Sequence, residues 1–426
     1  MLIEFSVSNF RSIKEKVTFS MLAEDSSTKK DGSSFQTDFK MAPDLSALSV
    51  IYGPNASGKS NLLMALGFMG TLVLNSAHKM QDGDDFEDLI KYFKQFKLGK
   101  EEALSEFEVV FIQENFLFQY GFSLDKEKIH DEWLYATPFR AKRENTKQKS
   151  QTWISRSEGK VGISKEREAI KELWLESTRS NALILSTAVQ LNSEKLKIPF
   201  DWFKKRLRVM LTPEWLSPSF SLNRLETDKD SILKFMHGLD FSFQNLEFRE
   251  RLFDESFLDR NSIPEEIRKK IAEDVKKSGG KFQELNSIYQ VGKKTYDLDF
   301  AEESKGTRRL FEMAGPILDV LENGYVLVVD ELDTSLHPLA LRGVIELFKN
   351  PKTNPKHAQL IFTTHDTSVM DLFNREQVWL VEKNNKYMST LISVDEFKGR
   401  TTDIIEKKYM AGRYGALPRI GNLVHV

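Results

Sequence analysis

One short stretch constrains the whole chain. Residues 50–63 read VIYGPNASGKSNLL, an apolar run that breaks into a glycine- and serine-rich turn and continues into an amphipathic helix. The turn fits the pattern G-x-x-x-x-G-K-[ST], with Gly53, Gly58, Lys59 and Ser60 at the fixed positions. In this pattern backbone N–H groups point at phosphate oxygens, the lysine reaches the β- and γ-phosphates, and the hydroxyl ligates Mg²⁺. The residues predicted to contact ATP here are Asn55, Gly58, Lys59, Ser60 and Asn61, and Ser60 is also a predicted Mg²⁺ ligand.

Composition bounds the class of protein. The 426 residues are 40% hydrophobic and 29% charged, enough for two or three globular units with a sizeable core. The longest apolar runs are of strand length and the first residues read as a strand, so we expect a soluble protein with no membrane span and no signal peptide. The chain has no cysteine, which excludes disulfides and cysteine nucleophiles and fits the cytoplasm. The net charge of −2 excludes a globally basic nucleic-acid binder, but not a local basic face.

A second apolar run, residues 324–338 (GYVLVVDELDTSLHP), contains two consecutive acids. A continuous apolar strand is typical of a parallel sheet that is buried on both faces, and its carboxyl end is where the chemistry is expected. We predict that Asp330 holds Mg²⁺ and that Glu331 polarises the attacking water as general base. Lys59 and Asp330 are far apart in the sequence, so an insertion must split the nucleotide-binding core.

Two shorter stretches flank this run. Residues 302–310 (EESKGTRRL) lead into a helix, and residues 359–365 (QLIFTTH) read as a buried strand that ends on His365. Taken alone, Ser304 at the start of that helix fits an ordinary N-cap, and His365 fits a packed histidine.

The order of these motifs resembles the ATP-binding-cassette heads of SMC, RecF and related repair and defence ATPases. Residues 304–307 (SKGT) stand where that family has its signature, although they lack its paired glycines, and residues 334–338 (TSLHP) look like its D-loop. Residues 9–13 (NFRSI) are similar to the family's N-terminal element, whose basic residue, here Arg11, faces the nucleotide.

The resemblance assigns further roles. It implies that Ser304 and Gly306 contact the ATP of a second chain in a head-to-tail dimer and that His365 senses the γ-phosphate. Gln190, within residues 181–192 (NALILSTAVQLN), is the candidate Q-loop glutamine, with a plain surface glutamine as the alternative.

With residues 375–383 (REQVWLVEK) and 409–418 (YMAGRYGALP), the two ends of the chain look most like the AAA15 branch of single-chain ATPases, of the RloA-like kind. Many members of that branch are the ATPase halves of two-gene abortive-infection or anti-phage systems. The resemblance therefore implies a homodimer or higher even oligomer with ATP between the heads. It also implies an effector protein from a neighbouring gene, nuclease-like and of the RloB or TOPRIM type.

The predicted fold class is α/β, a P-loop NTPase head like those of ABC and SMC proteins, with a mixed core sheet, an antiparallel β-lobe and an inserted helical lid. The predicted divisions are residues 1–164 for the N-terminal half of the head, 165–281 for the lid, and 282–426 for the C-terminal half.

Three functions fit these motifs. The first is an ATPase that dimerises on ATP and controls a partner in phage defence. The second is a RecF-like repair ATPase that binds DNA directly, for which residues 202–208 (WFKKRLR) offer cations beside aromatics, although a charged helix face is the alternative. The third, an ATPase with its own nuclease like the OLD family, fails because too few residues follow His365 for a TOPRIM domain. We adopt the first function and keep the second as the alternative.

Overall fold

The computed structural model describes residues 1–24, 32–78, 93–99, 103–139, 149–157, 160–163, 167–211, 218–239, 241–252, 281–399 and 404–418. Its strands are β1 (Leu2–Ser8), β2 (Val17–Ser20), β3 (Ser34–Gln36), β4 (Asp44–Ser46), β5 (Leu48–Tyr52), β6 (Ser105–Gln113), β7 (Phe116–Leu124), β8 (Ile129–Pro138), β9 (Gln151–Ser157), β10 (Lys160–Ile163), β11 (Leu207–Met210), β12 (Asn245–Leu252), β13 (Lys281–Val291), β14 (Lys294–Asp299), β15 (Val326–Val329), β16 (Gln359–Thr363), β17 (Val378–Lys383) and β18 (Ser389–Ser393).

The α-helices are α1 (Lys59–Asn75), α2 (Glu168–Ser177), α3 (Ile184–Gln190), α4 (Glu194–Asp201), α5 (Ser219–Thr227), α6 (Lys229–Gly238), α7 (Lys305–Asn323), α8 (Pro338–Lys349) and α9 (Ile405–Met410). A π-helical turn, Trp202–Arg206, joins α4 to β11, and 3₁₀ turns occur at Phe300–Glu302, Thr367–Leu372, Arg375–Gln377 and Val394–Glu396. Among the helices of the described residues, none combines the length and the apolar character that a membrane span requires.

The described chain divides into two compact units. Unit 1 is Met1–Leu216, Ile317–Thr334 and Leu341–Val426, and unit 2 is Ser217–Pro316 and Ser335–Ala340.

Unit 1 contains a six-stranded sheet in the order β11-β15-β16-β5-β17-β18. All neighbours are parallel except β17 and β18, which form an antiparallel edge. Every residue of β5 and of β15 is buried, as expected for central strands covered on both faces. The strand before the phosphate loop therefore lies two places from the strand before Asp330, with β16 between them.

Unit 1 also contains a seven-stranded antiparallel sheet in the order β10-β9-β8-β7-β6-β1-β2. Helix α1 packs against it through aromatic rings: the Phe68 ring lies 5.4 Å from the Phe107 ring of β6 and 5.9 Å from the Phe10 ring. The predicted antiparallel β-lobe is present, and it shares one apolar core with the helix that follows the phosphate loop.

Unit 2 contains a three-stranded sheet, β12-β13-β14, together with α5, α6 and the first part of α7. Helices α5 and α7 approach closely at Gly315, which has no side chain. A Cβ added there would lie 2.9 Å from the Ser221 Cα atom. The Ser221 hydroxyl donates to the Glu312 carbonyl and accepts from the Gly315 N–H.

The block predicted as a helical lid, residues 165–281, holds helices α2 to α6 but also strands β11 and β12, and residues 253–280 lie outside the described residues. Its first part belongs to unit 1, because β11 pairs with β15 in the parallel sheet. The division at 164/165 and 281/282 stays a prediction. The mixed α/β architecture with a separate antiparallel sheet is as predicted.

Candidate nucleotide site

The phosphate loop lies between β5 and α1 and depends on two glycines. Gly53 has φ +156° and Gly58 has φ +113°, a region that favours glycine. A Cβ at Gly53 would lie 2.2 Å from the Val381 carbonyl oxygen, and one at Gly58 would lie 2.2 Å from the Ser389 hydroxyl. Both glycines are therefore required by backbone conformation and by the close approach of β17 and β18.

Lys59 turns back into the loop. Its Nζ donates to the Gly53 carbonyl at 2.8 Å and to the Pro54 carbonyl at 3.3 Å. Burial lowers the pKa of Lys59, and the nearby carboxylates of Asp330, Glu331 and Asp333 oppose that shift. The ammonium group of the loop and the acids after β15 thus share one site.

A threonine organises those acids. The buried Thr363 hydroxyl donates to the Asp330 carboxylate at 2.5 Å and accepts the Glu331 N–H at 2.7 Å. Glu331 has φ +50°, a conformation uncommon for glutamate, and its exposed carboxylate accepts from the Thr334 hydroxyl at 3.3 Å. Asp330 is thereby held inside while Glu331 faces out, as a metal ligand and a water-polarising base respectively would require. Nothing in the sequence of this strand, QLIFTTH, distinguishes Thr363 from a threonine that is merely buried.

His365 follows β16 by two residues, and its side chain is exposed. Its backbone N–H donates to the Asp333 carboxylate at 3.2 Å, so Asp333 links the turn after β15 to the turn after β16. The structure therefore brings His365, Glu331 and Lys59 to one end of the parallel sheet. His365 is not the packed histidine of the alternative, and its sensor role stays a prediction.

The N-terminal element contacts the first turn of α1 through Ser12 and Asn61, and a contact of Arg11 with the nucleotide stays a prediction. Phe10 is anchored between the rings of Phe68 and Phe107, and Arg11, with φ +52°, donates its backbone N–H to the Lys94 carbonyl at 2.6 Å. The Arg11 guanidinium lies 5.6 Å from the Phe10 ring centre, and burial lowers its pKa. In the loop itself Asn55 is exposed, Ser60 and Asn61 are half-buried, and the Asn61 amide donates to the Ser12 hydroxyl at 2.7 Å.

Ser304 and Gly306 lie in unit 2, at the start of α7. The Ser304 hydroxyl accepts the Thr307 N–H at 3.1 Å, which is the N-cap geometry of the simpler alternative. A Cβ at Gly306 would lie 2.7 Å from the Ser335 carbonyl oxygen, so this glycine lets the backbone at Ser335 approach the helix within unit 2. A contact of either residue with ATP stays a prediction.

Gln190 is the last residue of α3, and its side chain is exposed. One turn earlier, the Ser186 hydroxyl donates to the Val73 carbonyl at 2.6 Å. Val73 is near the C-terminal end of α1, whereas Lys59 is the first residue of that helix. The Q-loop assignment of Gln190 likewise stays a prediction.

The donor atoms fit magnesium bound together with a nucleotide. Among the described residues, no group of three or more His, Cys, Asp or Glu side chains is arranged to hold a metal ion. Ser60 and Asp330 instead offer one hydroxyl and one carboxylate, which suits Mg²⁺, an ion usually held by one or two carboxylates, phosphate oxygens and waters.

Among the comparisons with known proteins, a family match agrees with a nucleotide site of this kind. A family model described as "AAA domain, putative AbiEii toxin, Type IV TA system" matches residues 48–371. No curated protein matches the chain. Among solved structures, an SMC head bound to the C-winged helix domain of ScpA is similar with a TM-score of 0.44 and 14% sequence identity, over 92% of this chain and 97% of that chain. Because the family match covers well over half of the sequence and includes both the phosphate loop and His365, the chain belongs to this family of AAA-domain proteins.

Proposed function

We propose that the protein is an ATPase of the ABC and SMC-head type, of the AAA15 branch, which closes as a dimer around MgATP in the cytoplasm and controls an effector protein in anti-phage defence. The observation that carries the catalytic part is that β5 and β15 end at the same edge of the parallel sheet, which brings Lys59 close enough to Asp330, Glu331 and Asp333 for their charges to act on its pKa. In this proposal Lys59 holds the β- and γ-phosphates, Ser60 and Asp330 hold Mg²⁺, and Glu331 polarises water.

Two observations favour control of a partner over a chemistry of its own. The described residues contain no cluster of acids and histidines fit for a nuclease metal centre. The family description names a type IV toxin–antitoxin system, that is, a toxin described together with a second component. Hydrolysis at this site then changes the shape of a dimer that an effector, nuclease-like and of the RloB or TOPRIM type, recognises.

The alternative, direct DNA binding like RecF, loses the aromatic part of its support. Trp202 is fully buried and Phe203 is 2% exposed, so neither ring is available to stack on a base. The Lys205 ammonium pairs with Asp201 at 2.9 Å, and the Arg206 guanidinium donates to the Asn323 carbonyl at 2.7 Å. Protection of DNA by the purified protein, lost on charge reversal at Lys204, would favour this alternative.

The test of the proposed function is ATP turnover by the purified full chain. Glu331→Gln is expected to bind ATP but to hydrolyse it about 10²- to 10⁴-fold more slowly, the usual contribution of a general base. Lys59→Ala is expected to abolish binding. Glu346→Gln, an exposed acid on α8, is the matched control and is expected to behave as the unmodified protein. Normal turnover by Glu331→Gln would refute the assignment of the base, and co-expression with the neighbouring gene should be toxic only when Lys59 and Glu331 are intact.

A further inference from the structure

A chain of hydroxyl groups reaches the phosphate loop from distant parts of the sequence. The Asn61 amide donates to the Ser12 hydroxyl at 2.7 Å, and the Ser12 and Ser389 hydroxyl oxygens lie 2.7 Å apart. Ser389 Oγ lies 2.5 Å from the Ser57 carbonyl oxygen. Ser57 is 2% exposed and Ser389 is 4% exposed, so water does not compete for the bond between them, whereas Ser12 and Asn61 are half-buried. We name Ser12, Ser57 and Ser389 the serine clasp.

Chemistry assigns the direction of these bonds. A carbonyl oxygen can only accept, and a serine hydroxyl carries a single proton. The Ser389 proton therefore goes to the Ser57 carbonyl, and the Ser12 proton goes to Ser389. Ser12 in turn accepts from Asn61, so the chain runs from the first turn of α1, through the N-terminal element and β18, back to the loop.

The last bond orients a peptide plane. The peptide bond between Ser57 and Gly58 is trans, and in a trans peptide the C=O and the following N–H point in opposite directions. Holding the Ser57 carbonyl toward Ser389 therefore turns the Gly58 N–H away from Ser389. In a loop of this pattern, the backbone N–H groups are the ligands of the phosphates.

We propose that Ser389 is a positioning residue for the phosphate loop, which fixes the Gly58 N–H in its phosphate-binding direction before the nucleotide arrives. Ser12 supports it by orienting the Ser389 hydroxyl. This inference rests on the proposed nucleotide site and adds to it a residue that lies outside every nucleotide-binding motif of the sequence.

Gly58 itself supports this arrangement. A Cβ at this position would lie 2.2 Å from Ser389 Oγ and 2.7 Å from Ser12 Oγ. The glycine is therefore needed not only for its positive φ but also because the clasp occupies the space of a side chain. A second tie, from the Ser389 N–H to the Ser12 carbonyl at 2.8 Å, holds β18 in place independently of the hydroxyls.

The test compares Ser389→Ala with Ser393→Ala in the full-length protein. Ser393 lies at the other end of β18, is 7% exposed, and its hydroxyl accepts the Asp395 N–H at 3.2 Å, so the control also loses a buried hydroxyl bond. Binding of MgATP and MgADP is measured by calorimetry, and KM and kcat are measured for ATP. Ser389→Ala is expected to weaken both nucleotides by the same factor, about five- to tenfold for one hydrogen bond.

The expected kinetic signature is a KM raised by that factor with kcat unchanged, because the phosphate loop holds ground state and transition state alike. Ser393→Ala is expected to bind both nucleotides as the unmodified protein does. Equal affinities in Ser389→Ala and the unmodified protein would overturn the clasp, as would an equal loss in both variants, since that would be a stability effect. If the unmodified protein binds neither nucleotide, the proposed function itself fails.

Discussion

At the scale of single residues, the most informative side chain is Thr363. Its hydroxyl is bonded on one side to the Asp330 carboxylate and on the other to the Glu331 N–H, so it sets both acids at once. Groups that hydrogen-bond to metal ligands typically contribute 10- to 100-fold to metal affinity or activity. Thr363 is therefore expected to act through Asp330 on Mg²⁺, without touching the nucleotide.

Thr363→Val keeps the shape of the side chain but removes the hydroxyl. The Mg²⁺ concentration needed for half-maximal binding of a fluorescent ATP analogue is expected to rise about 10- to 100-fold, and Thr363→Ser is expected to restore it. Thr364→Val is the matched control, because Thr364 is equally buried but its hydroxyl accepts the Asp366 N–H at 3.0 Å instead. An unchanged Mg²⁺ dependence in Thr363→Val would show that this hydroxyl does not position Asp330.

Sequence reasoning singled out residues that stand in a recognisable local pattern and missed residues that contact them. Lys59 and Asp330 were predicted because a fixed spacing or an apolar strand marks them, and their roles stay predictions. Thr363, Ser389 and Asp333 were missed because a hydroxyl or a carboxylate gains its role only from what the fold places beside it. No local pattern joins Ser389 to a loop more than three hundred residues earlier.

At the scale of elements, α3 is held by a buried acid. Glu132 of β8 is fully buried, and its carboxylate accepts the N–H groups of Ile184 at 2.6 Å and Leu185 at 3.0 Å and the Tyr120 hydroxyl at 3.0 Å. Burial raises the pKa of Glu132, and the two backbone donors oppose that shift. The antiparallel sheet thus supplies the N-terminal cap that the sequence of α3, which begins after Leu183, does not provide.

Glu132→Ala is expected to lower the free energy of unfolding by about 2–5 kcal/mol, because it leaves two backbone donors and a phenol buried without an acceptor. Urea unfolding followed by circular dichroism measures the change. Glu106→Ala, which removes an exposed acid paired with Lys16 at 2.9 Å, is expected to cost less than about 1 kcal/mol. Equal losses in the two variants would contradict a capping role for Glu132.

The elements that the sequence predicted best are those with an unbroken pattern. The apolar runs of β5, β15 and β16 and the helix after the phosphate loop lie where they were expected. The block 165–281 was harder because charge hides a strand: residues 202–208 read as a charged helix face, yet the chain passes through a π-helical turn into β11, at the edge of the parallel sheet. Pairing with β15, which is distant in sequence, decides that conformation.

At the scale of the whole molecule, unit 1 is built from segments that are separated in the sequence by residues of unit 2. Unit 1 consists of Met1–Leu216, Ile317–Thr334 and Leu341–Val426, and unit 2 consists of Ser217–Pro316 and Ser335–Ala340. Lys59, Asp330 and His365 belong to unit 1, whereas Ser304 and Gly306 belong to unit 2. The insertion of unit 2 explains why the site residues of unit 1 are far apart in the sequence. The sequence order does not show whether Ser304 and Gly306 act in their own chain or in a second chain.

The proposed dimer makes a prediction that a single chain acting alone cannot satisfy. If Ser304 of one chain completes the phosphate loop of another, Lys59→Ala chains and Ser304→Arg chains are each inactive, but a heterodimer of the two contains one intact site. Mixing equal amounts is expected to restore ATP turnover to about a quarter of the unmodified rate, since half of the dimers are mixed and half of their sites are intact. Two affinity tags, purified in sequence, verify that mixed dimers form.

Ser304→Ala serves as a milder control, because it removes the hydroxyl that caps α7 without adding bulk. If verified heterodimers show no turnover, ATP is not shared between chains, and Ser304 is the helix cap that its contact with Thr307 already makes it.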